Sequence, residues 1–363
     1  MTELASFCKL FFIRKPIGIY LKTGMGFIFL LILLLNHKMK KISLDDIQKP
    51  VAAELKHFDA HFRGAMKTRV VLLDTIMQYI IRRKGKRIRP LFVLLSAHVC
   101  GGIHAETYRG AALVELLHTA TLVHDDVVDD ADERRGFFSI NALWKNKIAV
   151  LVGDFLLSRG LLMSLEHDDF HLLKIVSNAV RLMSEGELLQ IEKARKLNVD
   201  EPVYFDIIRQ KTASLIASCC EVGAASATKD KALSEKMRIF GEKVGIAFQI
   251  KDDLFDYGSA DVGKPLGIDI KEKKMTLPLI HVLNKASWAE RRKIINIVKN
   301  HNTNPRKVRW LIDYVIGNGG MDYAEQTMHR HIQEAFELLE EFPPGVSRDA
   351  LRDLVRYVME RNH

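Results

Sequence analysis

Residues 111–136 read AALVELLHTATLVHDDVVDDADERRG. The stretch from Ala111 to Val123 is rich in Ala and Leu, places apolar side chains at i, i+3 and i+4, and runs too long for a strand, so it spells a helix. That helix runs into Asp125-Asp126-Val127-Val128-Asp129 at its C-terminal part. Residues four apart share a helical face, so Asp125 and Asp129 are expected to project together. Like charges so placed repel, and the negative end of the helix dipole disfavours both. The arrangement costs stability unless a cation sits on it.

The same form recurs at Asp252-Asp253-Leu254-Phe255-Asp256, which pairs Asp252 with Asp256 behind the apolar Phe248-Gln249-Ile250. One such cluster alone reads more readily as a solvated acidic helix end. Two, each behind an apolar stretch, point to a cation. Carboxylates without His or Cys companions suit a hard ion, Mg²⁺ above all, which takes one or two carboxylates and completes its shell with water and phosphate oxygens. Two acidic faces opposed across a cavity would hold a diphosphate between them. Basic residues stand close by in Gly85-Lys86-Arg87-Ile88-Arg89-Pro90 and in Arg134-Arg135-Gly136, and such side chains serve a polyanion well.

Outward from these motifs the helical pattern continues over 169–196, 203–226 and 231–256, with no convincing alternating strand. Pro50, Pro90, Pro202, Pro278, Pro305 and Pro343-Pro344 mark where helices begin or break. The predicted fold is all-α, a bundle of about ten to thirteen antiparallel helices around a central cavity. No Pro/Gly/Ser-rich linker, charge block or internal repeat divides it, so residues 45–363 read as a single helical domain behind an extension over 1–44.

The net charge of +9 is unevenly spread. Residues 1–44 carry seven Lys and Arg against Glu3 alone, a surplus of six, which leaves +3 for the rest. No basic stripe with interleaved aromatics is read as tracking a phosphate backbone, so a nucleic-acid partner is not expected. Cys8, Cys100, Cys219 and Cys220 form no CxxC pair and read as buried, inert thiols of a reducing cytoplasm. In the extension, Met25–Leu35 is an eleven-residue apolar run, shorter than the roughly 20 residues of a spanning helix. It lacks a small-residue cleavage pattern downstream. Two readings stay open: a membrane-associating tail over residues 1–38, or an upstream translation start ahead of Met39.

In its motifs the chain resembles the trans-isoprenyl diphosphate synthases, long-chain polyprenyl type, from about residue 45 to the end. The resemblance rests on 85–90, His118, 125–136, Gly153-Asp154, Glu185-Gly186-Glu187, Lys211-Thr212, FQIKDDLFD at 248–256, Gly263-Lys264 and Lys274-Met275-Thr276-Leu277-Pro278. Lys84 departs from it, standing where the family often has a second glycine. The resemblance implies that Lys86, Arg89, His118 and Arg135 hold the diphosphate of isopentenyl diphosphate. Arg134, Lys211, Thr212, Gln249, Lys264 and Lys274 would hold the allylic diphosphate, farnesyl diphosphate being the expected starter. Asp125, Asp129, Asp252 and Asp256 would bind Mg²⁺, supported by Asp126 and Asp253. A homodimer is also implied.

The implied reaction ionises the allylic diphosphate and adds isopentenyl units head to tail, without a protein nucleophile. In the family the residues four and five before the first aspartate help set the floor of the tail pocket, and here they are Thr121 and Ala120. Both are small, so a deep pocket and a product of about C30 to C40, a quinone side-chain precursor, is expected. The rivals are a short-chain synthase making farnesyl or geranylgeranyl diphosphate, a class I terpene cyclase, and a non-catalytic regulatory subunit. A cyclase would not need Lys86 and Arg89; a regulatory subunit would show eroded acidic motifs. The expected location is the cytoplasm, with peripheral membrane contact through residues 1–38 for product release.

Overall fold

The computed structural model describes residues 42–360, apart from 83–84, 135, 198 and 259–265. The extension with Cys8, and the expected site residues Arg135 and Lys264, therefore lie outside the described residues, and of Arg134 the backbone alone is described.

Helices start where the sequence supplies a cap or a proline. Ser43 accepts from Asp46 N–H to open α1 (Leu44–Gln48), and a 3₁₀ turn holding Pro50 leads into α2 (Ala52–Ala65). There follow α3 (Val71–Arg82), α4 (Ile88–Cys100) and α5 (Ala105–Val128). Ser139 caps α6 (Ile140–Glu166), and α7 (Phe170–Lys196) runs alongside. Asp200 caps α8 (Glu201–Ile208), with Pro202 in its first turn. A π turn, Arg209–Ala213, then passes without a break into α9 (Ser214–Ala227). Asp230 caps α10 (Lys231–Phe255) through Ala232 and Leu233 N–H. The chain ends in α11 (Ile268–Lys271), α12 (Leu277–Lys285), α13 (Trp288–Asn300), α14 (Pro305–Gly317), α15 (Gly320–Glu340) and α16 (Val346–Glu360). Each such cap satisfies backbone N–H groups that the first helical turn leaves without partners.

The all-α reading holds, and the expected helix over 203–226 is the rod α8–π–α9. The one β ladder among the described residues is a two-residue hairpin, Glu133–Arg134 against Phe137–Phe138, which turns through Gly136 at φ +75°. Tyr79 ties it down by donating to the Phe138 carbonyl at 2.7 Å.

The long helices pack pairwise: α5 along α6, α9 along α10 and α4, and α10 against α15. Two apolar clusters result. One gathers Met66, Met77, Leu116, Ala120, Val123, Val152 and Leu156 between α2, α3, α5 and α6. The other is built by α8, α10, α12, α13 and α14 around Ile246, Ile250, Leu279, Ile297 and Leu311. Cys100, Cys219 and Cys220 are buried free thiols, as expected, and burial pushes all three up in pKa. α6 is long and apolar enough to cross a bilayer, although α5 packs along it and Arg159 donates from it to the Ala65 carbonyl at 2.8 Å. Beyond a kink at Lys145 its exposed apolar residues, Val150, Leu151, Leu161, Leu162 and Leu165, recur at helical spacing along one side.

Candidate active site

Both aspartate motifs finish the helices that carry them. Asp129 is the C-cap of α5 and Asp256 the C-cap of α10, so each motif lies at the negative end of a long helix. Within each, the middle aspartate is buried: Asp126 is 4% exposed and Asp253 5%, whereas Asp125, Asp129 and Asp252 are exposed. The second motif does not keep the expected pairing. Asp252 opens outward, but Asp256 turns inward because its Oδ1 accepts from Ile268 N–H at 2.7 Å, at the start of α11.

A cavity of about 240 Å³ opens between α7, α8, the π turn, α10 and the segment carrying α11. Of the residues expected to bind the allylic diphosphate or metal, it brings together Lys211, Thr212, Gln249, Lys274, Asp252 and Asp253. A relay of hydrogen bonds ties its wall. Thr212 donates to Gln249 at 2.7 Å, Gln249 donates to Asp253 Oδ1 at 2.9 Å, and Tyr204 donates to Asp253 Oδ2 at 2.8 Å. Burial pushes the Asp253 carboxyl up to about 7 against the pull of these two donors. Asp256 is pushed up to about 6 by burial and by the neighbouring Asp269.

The two lysines are each held by a carboxylate. Lys211 pairs with Glu187 and approaches Gln190 Oε1 at 3.4 Å. Lys274 pairs with Glu272 and, at 3.5 Å, with Asp269. The π turn explains how Lys211 and Thr212 reach the cavity: the extra residue per turn rotates them onto it, and α7 comes close because residue 186 is glycine. A Cβ there would stand 2.7 Å from the Lys211 backbone nitrogen.

The remaining candidates gather elsewhere. Arg89 on α4 makes a bidentate pair with Glu115 on α5, both bonds 2.9 Å. Lys86 lies over the ring of Tyr357 on α16, 5.5 Å from its centroid. His118 is half-buried one turn beyond Glu115, hence on the same side of α5. Ala120 is fully buried in the cluster under the first motif, and Thr121 donates to the His118 carbonyl at 2.9 Å.

Sequence reasoning missed Tyr204, Asp269, Gln190 and Glu115 as site residues. Glu187 stood in a quoted motif without a role. Only Glu115 left a signal, a lone acid three residues before His118 in an apolar helix; the others depend on long-range packing.

The expected magnesium set, Asp125, Asp129, Asp252 and Asp256, is not gathered: among the described residues no three carboxylate, imidazole or thiol side chains form a ready-made metal cage. α11 holds Asp256 inward, and Tyr204 and Gln249 hold Asp253. The donor chemistry still fits a hard cation. The acids facing the cavity, Asp252, Asp253 and Asp269, offer oxygen alone, and Asp256 keeps a buried Oδ2 with no hydrogen-bond partner.

Residues 70–315 match the family described as polyprenyl synthetase. This chain belongs to the polyprenyl synthetase family. The synthase is 36% identical over 319 residues to the all-trans-nonaprenyl-diphosphate synthase (geranyl-diphosphate specific) of Rhodobacter capsulatus, covering 87% of this chain and 97% of that one. It is 34% identical to heptaprenyl diphosphate synthase component 2 of Geobacillus stearothermophilus, over 78% of this chain and 88% of that one. The polyprenyl synthase of Caulobacter crescentus, solved with calcium and isoprenyl diphosphate, superimposes with a TM-score of 0.79 at 33% identity, covering 90% of this chain and all of that one. The synthase is thus a prenyltransferase, and the family and all-α fold expected from its motifs both stand.

Proposed function

We propose that the synthase condenses isopentenyl diphosphate with an allylic diphosphate, farnesyl diphosphate as starter, to make an all-trans polyprenyl diphosphate of about C30 to C40. The observation that carries this reading is the cavity wall in which Lys211 and Lys274 alternate with Asp252, Asp253 and Asp269. Such a surface has partners for a polyanion and for the cations that accompany it. Mg²⁺, held by Asp252 with Asp125, Asp129 and Asp256 as further ligands and Asp126 and Asp253 in support, would neutralise charge on the departing diphosphate.

The chain's own side chains do the rest. Lys211, Thr212, Gln249 and Lys274, joined by Arg134 and Lys264, hold the allylic diphosphate, and Glu187 and Asp269 keep the two lysines in place. Lys86, Arg89, His118 and Arg135 hold isopentenyl diphosphate, with the Arg89 fork oriented by Glu115. The allylic C–O bond breaks and its electron pair leaves with the diphosphate. The isopentenyl double bond then attacks the allylic carbon, and the proton lost from the adduct passes to the released diphosphate. The growing tail descends past Thr121 and Ala120 into the cluster below α5. The apolar stripe on α6 is the seam we assign to a homodimer, burying what water otherwise meets. The buried thiols suit a cytoplasmic enzyme.

The test is incubation of the purified chain with Mg²⁺, labelled isopentenyl diphosphate and farnesyl diphosphate, then resolution of the dephosphorylated products by length. A ladder ending at a defined long prenol supports the proposal. A stop at C20 would leave the chemistry and overturn the deep pocket. No incorporation from any allylic starter would point to a chain that works only with a partner subunit.

A further inference from the structure

Against the expectation of no basic stripe with interleaved aromatics, the modest surplus of positive charge conceals one strongly basic face with two tryptophans. Residues 285–309 hold eight Lys and Arg against Glu290 alone, a surplus of seven, so residues 45–284 and 310–363 together are at −4. Six of the eight, Arg291, Arg292, Lys293, Lys299, Arg306 and Arg309, are exposed on the α13–α14 hairpin, and a seventh, Lys285, is exposed at the end of α12 just before it. Their only carboxylate partner among the described residues is Asp313, 3.1 Å from Arg309. The buried side of the hairpin is apolar, with Ile294, Ile297, Val298, Val308, Leu311 and Ile312. Two indoles lie beneath its cations, Trp288 in the open and Trp310 partly buried against the apolar cluster below. Arg292 lies over Trp288 at 5.4 Å from the ring centre, and Lys293 over Trp310 at 3.4 Å. Trp288 is 75% exposed, at the first position of α13.

From this geometry we infer that the α13–α14 face docks the synthase on an anionic lipid surface. Basic charge without acidic partners gains from negative headgroups, and an exposed indole beside arginine is at its best at the level of those headgroups. A bilayer rather than a nucleic acid is favoured because Trp288 stands exposed among the cations and because the product is an amphiphile whose destination is a membrane. That last step rests on the proposed function; the charge and the exposed ring do not.

The test uses the full chain and vesicles of phosphatidylcholine with or without phosphatidylglycerol, some with brominated acyl chains. Trp288 emission is isolated by subtracting the Trp288→Phe variant, which leaves Trp144 and Trp310. This readout is local to α13, so it is not confused by any membrane affinity of residues 1–44. Expected are quenching of Trp288 on anionic vesicles, its loss at high salt, and little on neutral ones. Replacing Arg291, Arg292, Arg306 and Arg309 by Gln should weaken vesicle binding at least 100-fold, at about five-fold per cation, while condensation in detergent is unchanged. Equal quenching on neutral vesicles, no effect of the four substitutions, or tighter binding of a single-stranded oligonucleotide than of anionic vesicles would overturn the inference. Condensation is measured separately, so a chain that docks but does not condense would count against the proposed function alone.

Discussion

At the scale of single residues, the Glu115–Arg89 pair is where the proposed isopentenyl site can be tested most directly. Its two oxygens take both branches of the Arg89 fork at 2.9 Å, in a half-buried setting where a flexible guanidinium would otherwise lose entropy on binding. Glu115→Gln keeps the shape and removes the charge, so the KM for isopentenyl diphosphate should rise about ten-fold while kcat moves little. Steady-state kinetics with each substrate varied in turn checks this, since an equal rise in the allylic KM would place Arg89 elsewhere. Ala120 is the second case. It is fully buried beside Leu116, Met77 and Leu156, so Ala120→Phe fills the space below the first motif. Products should shorten by one or more isoprene units, each roughly the length of a phenyl ring, read from the prenol ladder. Asp252 and Asp253 were legible in the sequence because spacing alone marks them. Tyr204, which steadies Asp253 from 49 residues away, was not, because nothing local distinguishes it from any core tyrosine.

Elements carry the next layer of the argument. The helices over 169–196, 203–226 and 231–256 could be read almost to their ends, since apolar periodicity, Asp200 and Asp230 as caps, and Pro202 all speak locally. The π turn at 209–213 could not, because five residues are too short a window for a local change of period to stand out from the helical pattern on either side. Yet it is this turn that seats Lys211 and Thr212, and its approach to α7 depends on Gly186. A methyl at 186 would meet Lys211 N at 2.7 Å and Gln210 Cβ at 2.8 Å, with backbone on one side that cannot swing away. Gly186→Ala should cost about 1–3 kcal/mol of stability and lower kcat/KM for the allylic substrate more than that for isopentenyl diphosphate. Gly64→Ala on α2, where a Cβ meets nothing within 4 Å, is the matched control and should be neutral or stabilising by up to about 1 kcal/mol. Denaturant midpoints and paired kinetics separate the two, and equal behaviour would remove the close approach as the cause.

For the molecule as a whole, the α10–α15 packing contributes to how it meets acid through one buried histidine. His331 on α15 is 9% exposed, its ring 5.8 Å from that of Phe205, with Lys243, Arg330, Glu334 and Glu242 around it. Burial, then Lys243, lowers its pKa from 6.5 to about 4, while Glu334 acts the other way from 3.7 Å. A group depressed on folding stabilises the native state above its unfolded pKa, and that stability is lost as pH falls through the folded value. Between pH 6.5 and about 4 the unfolded chain takes up a proton that the native chain refuses, which favours unfolding by up to about 3 kcal/mol. Wild-type stability should therefore decline across that window. His331→Gln, which binds no proton in either state, should decline less, so the two curves converge on acidification even if the variant starts lower at pH 7.5. Urea midpoints at half-unit pH steps provide the comparison. Parallel curves would mean that the acid sensitivity of the helical bundle comes from its carboxylates, and that the α10–α15 seam opens to water before His331 is asked to titrate.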